Sequence, residues 1–127
     1  MYQQNKVYEL NLHLYPRKVW VVVGMSVEEI SKRFSTRNNN DVYLSDTAIA
    51  TVISVNRRTD NRMGELIRIS QVDYMTVGVI AHESLHAAMD ICSDLGINPT
   101  YEEQEPLAYL VGYIAEFVGK IVKEVRK

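Results

Sequence analysis

The sequence predicts an α+β domain in which a small, mostly antiparallel sheet carries two long helices packed on one side. Strand-like apolar runs occur up to Ser70, and helical spacing of apolar residues takes over after Tyr74. Strands early and long helices late argue against repeated βαβ units and a parallel sheet.

From Val7 to Leu14 the chain alternates, with Leu10, Leu12 and Leu14 on one side and Glu9, Asn11 and His13 on the other. That is the pattern of a half-buried strand, and Pro16 ends it. Lys18 to Val23 is continuously apolar and β-branched, as in a central strand covered on both faces. Ser26-Val-Glu-Glu29 reads as a capping box, so a helix is expected from Val27 to about Phe34, closed by the Asn38-to-Asp41 loop. Thr47 to Asn56 and Arg62 to Ser70 are rich in Ile, Val and Thr and flank a polar turn at 57–61, the signature of a β-hairpin. Asp73 is expected to cap a helix from Tyr74 to Leu95, ended by Gly96 in a left-handed conformation. After Asn98-Pro-Thr100, the series Leu107, Leu110, Val111, Ile114, Phe117, Val118, Ile121 and Val125 keeps the period of an amphipathic helix.

With 127 residues the chain has the length of a single domain, and 46% hydrophobic with 24% charged residues is an ordinary globular composition. A formal net charge of −2 supplies no broad basic field, which excludes backbone-driven nucleic-acid binding as an expectation. The single cysteine, Cys92, forms neither an intramolecular disulfide nor a thiolate cage. The start of the sequence shows no signal-peptide pattern, and the longest apolar run, Val19 to Met25, is far shorter than the roughly 20 residues of a membrane span. The expectation is a protein of the reducing cytoplasm with neither membrane nor nucleic acid as partner.

The chemistry concentrates in His82-Glu83-Ser84-Leu85-His86. On a helix, residues four apart stand one turn above each other, so both imidazoles converge on one Zn²⁺ while Glu83 lies beside a bound water. A shuffled chain of this composition carries the pattern in roughly 0.4% of cases, so chance is a poor explanation. A catalytic zinc normally takes three protein ligands and keeps a fourth position for water. Cys92 lies six residues past His86, about 9 Å along the helix, which is out of reach and suits a buried small hydrophobe. The third ligand is then His13 or one of the carboxylates Glu102, Glu103 and Glu105. Glu105 has the best surroundings, because it shares an arc with Ala108, Tyr109, Gly112 and Gly119, and Gly78 lies one turn before His82. These small residues predict a close helix crossing that carries Glu105 to the metal. Glu102 and Glu103 read more simply as solvated acids at a positive helix end.

The pattern His82-Glu83-x-x-His86 with Glu105 nineteen residues on resembles the gluzincin metallopeptidases. The stretches Ala81-His-Glu-Ser-Leu-His-Ala-Ala88 and Glu105-Pro-Leu-Ala-Tyr-Leu-Val-Gly-Tyr-Ile114 are similar to very small phage- and prophage-encoded proteins of that type. In that group a strand ending in Val-Gly, here Val21 to Gly24, precedes the zinc helix. The likeness covers 78–115 well and 18–24 weakly, and it departs at Pro106, where Ala is expected. It implies zinc-dependent hydrolysis of peptide bonds in a peptide or protein substrate, with His82, His86 and Glu105 as ligands. Glu83 is then the general base, Asp90 a residue that orients an imidazole or an exposed helix acid, and Tyr109 or Tyr113 an oxyanion donor or ordinary packing. The competing expectation is a catalytically inactive zinc-binding interaction module. Glu83 argues against it, because metal binding alone does not need that residue.

Overall fold

The computed structural model describes residues 5–45 and 47–126, so the reading of a missing leader, which rests in part on residues 1–4, lies partly outside it. The α+β class holds. Strands β1 (Tyr8–Asn11), β2 (Lys18–Val23), β3 (Phe34–Thr36), β4 (Ala50–Arg57) and β5 (Met63–Ile69) form one sheet in the order β1-β2-β5-β4-β3. Helix α1 (Val27–Arg33) follows β2, and α2 (Val77–Asp94) and α3 (Glu105–Val125) complete the chain. The sheet is mixed, which corrects the mostly antiparallel expectation: β2 and β5 run parallel at its centre, between antiparallel pairings further out. Two strands buried on both faces take the interior of the sheet. The chain joins them by returning through α1, β3 and β4, which puts them in the same direction.

The sheet is covered on both sides, and this too differs from helices packed on one side. Val19, Val21, Val23, Ile67 and Ile69 pack against Ala87, Ala88 and Ile91 of α2 and Leu110, Ile114 and Val118 of α3. On the other face Trp20, Val22, Val55 and Leu66 pack with Ile30 of the short α1, Phe34 and Leu44. The reading of Lys18–Val23 as a strand covered on both faces is borne out, since Val19 through Val23 are essentially inaccessible.

Local chemistry sets the boundaries. Ser26 Oγ accepts from the Glu29 amide at 3.1 Å, the expected cap of α1. β1 stops at Asn11 because His13 takes a left-handed φ of 49°, which turns Leu14 out to solvent instead of along the Leu10–Leu12 face. β3 was not expected, being three residues long and starting at the last residue assigned to α1 by sequence. The helix expected from Tyr74 starts instead at Val77, because Val72–Tyr74 forms a 3₁₀ turn and Thr76, not Asp73, caps α2 by accepting from Val79 N at 3.2 Å. Gly96, at φ 72°, ends α2 as expected, with its amide on Ser93 O at 3.3 Å and that of Ile97 on Cys92 O at 2.9 Å. Cys92 is buried, and burial pushes its thiol pKa up. No helix among the described residues is long and apolar enough to cross a membrane.

At Gly64 β2 and β5 leave no room for a side chain. A Cβ there collides with the Lys18 carbonyl oxygen and lies 2.7 Å from Trp20 Cζ3. Gly64→Ala is therefore expected to lower stability by about 1–3 kcal/mol, the usual cost of overpacking. An unchanged urea midpoint would show that the β2–β5 contact relaxes freely.

Candidate metal and catalytic site on helix α2

Helix α2 buries Glu83, Ser84, Ala87, Ala88, Ile91 and Cys92 and leaves His82 and His86 exposed along one flank of that face. At 100° per residue, Val79, His82, Glu83, His86 and Asp90 fall within about 100° of arc. That arc meets the N-terminal half of β4 across two adjoining hollows. One, of about 310 Å³, is lined by Ala50, Thr51 and Val52 of β4 and by His82, Glu83, His86 and Asp90. The other, of about 680 Å³, lies toward the start of α2 and shares Ala50, His82 and Glu83 with the first.

The two imidazoles converge as the spacing predicts. His86 Nε2 lies 3.2 Å from His82 Nε2, with ring centroids 4.8 Å apart and planes at 71°. Two imidazole nitrogens bound to one tetrahedral zinc at about 2.0–2.1 Å stand about 3.3 Å apart. The separation of the pair therefore matches that of two imidazoles on a shared zinc ion. Glu83 is 7% exposed, and its Oε2 lies 4.0 Å from His82 Nε2 at the groove where both hollows meet.

The third ligand is not assembled. Among the described residues no group of three or more His, Cys, Asp or Glu side chains is arranged to hold a metal ion. Glu105 is the exposed first residue of α3, Glu102 and Glu103 are exposed ahead of it, and His13 sits at the far turn beside Arg17, Lys18 and Arg62. The predicted small-residue crossing does not form: a Cβ at Gly78, Gly112 or Gly119 meets nothing within 4 Å. The α2–α3 contact instead buries the larger residues of the apolar ridge, Leu110, Ile114 and Val118, which displace the glycine stripe toward solvent. Tyr109 is 57% exposed and stacks on Tyr113 at 6.0 Å. Neither tyrosine lines the hollows beside His82, and Tyr113 Oη instead donates toward Asn11 O at 3.5 Å.

Asp90 is engaged rather than a free helix acid. It lines the smaller hollow and hydrogen-bonds Glu65, a β5 residue that is wholly buried beneath α2. Burial, and after it the Asp90 carboxyl, push the Glu65 pKa up to about 9, against the opposing pull of Ser54 and Arg37. Ser54 Oγ lies 3.0 and 2.8 Å from the two Glu65 oxygens, and Arg37 Nη2 lies 3.2 Å from Oε2. Arg37 also holds Asp94 at 2.8 Å, which Arg17 reaches at 3.3 Å. The two guanidiniums thus reach Glu65 and Asp94 but not Asp90, and the surplus acid keeps its proton on Glu65, the one most shielded from water. Sequence reasoning missed Glu65. A single acid inside an Ile/Leu-rich strand was the available signal, since a buried charge needs partners.

Comparison with family models, with characterised proteins and with solved structures finds no match for this chain.

Proposed function

We propose that this chain is a zinc-dependent peptidase in which His82 and His86 hold the metal and Glu83 is the general base. The observation that carries this reading is the 3.2 Å convergence of the two Nε2 atoms beside the shielded Glu83 carboxyl at the groove along β4. A zinc ion held there supplies a Lewis acid for a substrate carbonyl and acidifies water. Glu83 takes the proton of the attacking water as its oxygen bonds to the peptide carbon, and passes that proton to the amine nitrogen as the C–N bond breaks. Asp90, braced by Glu65, fixes the end of the helix face that carries His86. Glu105 enters as third ligand through the resemblance to gluzincins alone.

The groove also suits the substrate class. β3 covers β4 only from Val55 to Arg57, so Ala50 to Ser54 has β5 on one side and, among the described residues, no strand on the other. Such an edge offers backbone donors and acceptors to an extended peptide.

Metal content is the direct test. The wild-type chain, purified without chelator, is expected to carry one zinc by elemental analysis, and His82→Ala and His86→Ala are expected to lose it. Full occupancy in Glu105→Ala removes that residue from the ligand set. Absence of zinc from the wild-type chain after incubation with excess zinc defeats the metallopeptidase reading.

A further inference from the structure

The two hollows beside His82 differ in chemistry, and the same residues order them along both walls. On α2 the larger hollow is bordered by Thr76, Gly78 and Val79, then His82 and Glu83 are shared, and His86 and Asp90 border the smaller. On the facing wall Thr47 and Ile49 precede the shared Ala50, and Thr51 and Val52 follow. The groove is therefore continuous across His82 and Glu83. Beyond the shared residues the larger hollow, of about 680 Å³, has no charged side chain in its lining among the described residues, and Ile49 and Val79 are its large apolar groups. The smaller one gains the Asp90 carboxyl. His82 to Asp90 spans eight residues of helix, about 12 Å, which an extended chain covers in about four residues.

We infer that the groove selects an extended peptide bearing an aliphatic or aromatic side chain in the hollow walled by Ile49 and Val79 and, four positions away on the same face of the peptide, a Lys or Arg against Asp90. This rests on the peptidase reading for its purpose, but the selection itself is a binding property. Charge complementarity fixes the basic end. Asp90 is half-buried, and a cation placed against it in a confined hollow gains a charge-assisted contact that a neutral or acidic side chain lacks. An acidic side chain meets Glu83 and Asp90 together. At the other end an aliphatic or aromatic side chain leaves water for a wall of Ile49, Val79 and Ala50, whereas a charged one loses hydration without a partner there beyond the shared His82 and Glu83. The unpaired edge of β4 holds the backbone and lets the two side chains point to the α2 side.

The test uses Glu83→Gln, with and without added zinc, and fluorescent octapeptides of Gly and Ser that carry Leu and Arg four positions apart in either order. Fluorescence polarisation is expected to show at least one such peptide binding about tenfold or more tighter than its Leu→Asp and Arg→Glu counterparts. Ile49→Asp and Val79→Asp, each added to Glu83→Gln, are expected to abolish the preference for Leu, and Asp90→Asn the preference for Arg. Ile49 is exposed, so its substitution keeps the test valid if Val79→Asp fails to fold. Equal binding of all peptides, binding of none, or a preference for the acidic counterpart overturns the proposal. Tight selective binding without cleavage by the wild-type chain removes the peptidase reading and leaves this one standing; cleavage without preference does the reverse.

Discussion

Glu83→Gln is expected to keep zinc content at the wild-type level and to lower peptide hydrolysis by roughly 10²–10⁴-fold, the usual contribution of a general base. The substitution preserves size and polarity in a position that is 7% exposed, so the groove stays intact while the proton acceptor is lost. His82→Ala and His86→Ala are expected to lose zinc and hydrolysis together. The contrast separates a peptidase from an inactive zinc-binding module, for which Glu83→Gln changes nothing. Turnover of a library-derived substrate with paired elemental analysis is the measurement. Wild-type turnover by Glu83→Gln removes this carboxylate from the mechanism, and Tyr109 lies outside both hollows and offers no ready substitute.

The second large effect is on stability and comes from Glu65. Its carboxyl, ordinarily near 4.5, is pushed up to about 9 by burial and by Asp90. Between those values the folded chain keeps a proton that the unfolded chain gives up. The contribution is fully present below pH 4.5 and is lost as pH rises toward 9, with a slope of up to about 1.4 kcal/mol per pH unit. Glu65→Gln cannot ionise, and its amide still donates to Asp90. The variant is therefore expected to gain on the wild-type chain steadily from pH 5 to pH 8.5 in urea unfolding. Parallel stability curves across that range would show that Glu65 is ionised in the native state.

The parts of the fold and site that were legible in the sequence are those fixed by neighbours along the chain. The Ser26 cap, the turn at 57–61, the Gly96 stop and the meeting of His82 with His86 all depend on spacings of a few residues. What depends on long-range packing was not legible. The parallel β2–β5 pairing, the short β3 on the far edge and the placement of α1 on the opposite face are decided by which apolar surfaces find each other. Glu105 shows the same division. Its position on the helical wheel follows from its number, but whether α3 brings it to α2 depends on which stripe of α3 is buried. The ridge of Leu110, Ile114 and Val118 wins that competition over the glycines. Glu65 belongs here too, because its partners come from β4, from α2 and from Arg37 beyond β3.

The central pairing also governs how quickly the site comes into being. Lys18 lies opposite Gly64 in the β2–β5 register, so this contact closes a long stretch of chain containing α1, β3 and β4. Contacts so distant in sequence exact their loop entropy before any burial compensates it, and they slow folding relative to helical or hairpin proteins of equal stability. The β4–β5 hairpin and α2 are local in sequence, whereas the sheet beneath them is complete only with β2 beside β5. The wall of the groove, Ala50 to Val52 of β4, is thus one strand removed from the contact that closes the longest stretch of chain in the sheet. Its register against α2 rests on β5, the strand that local and distant pairings share.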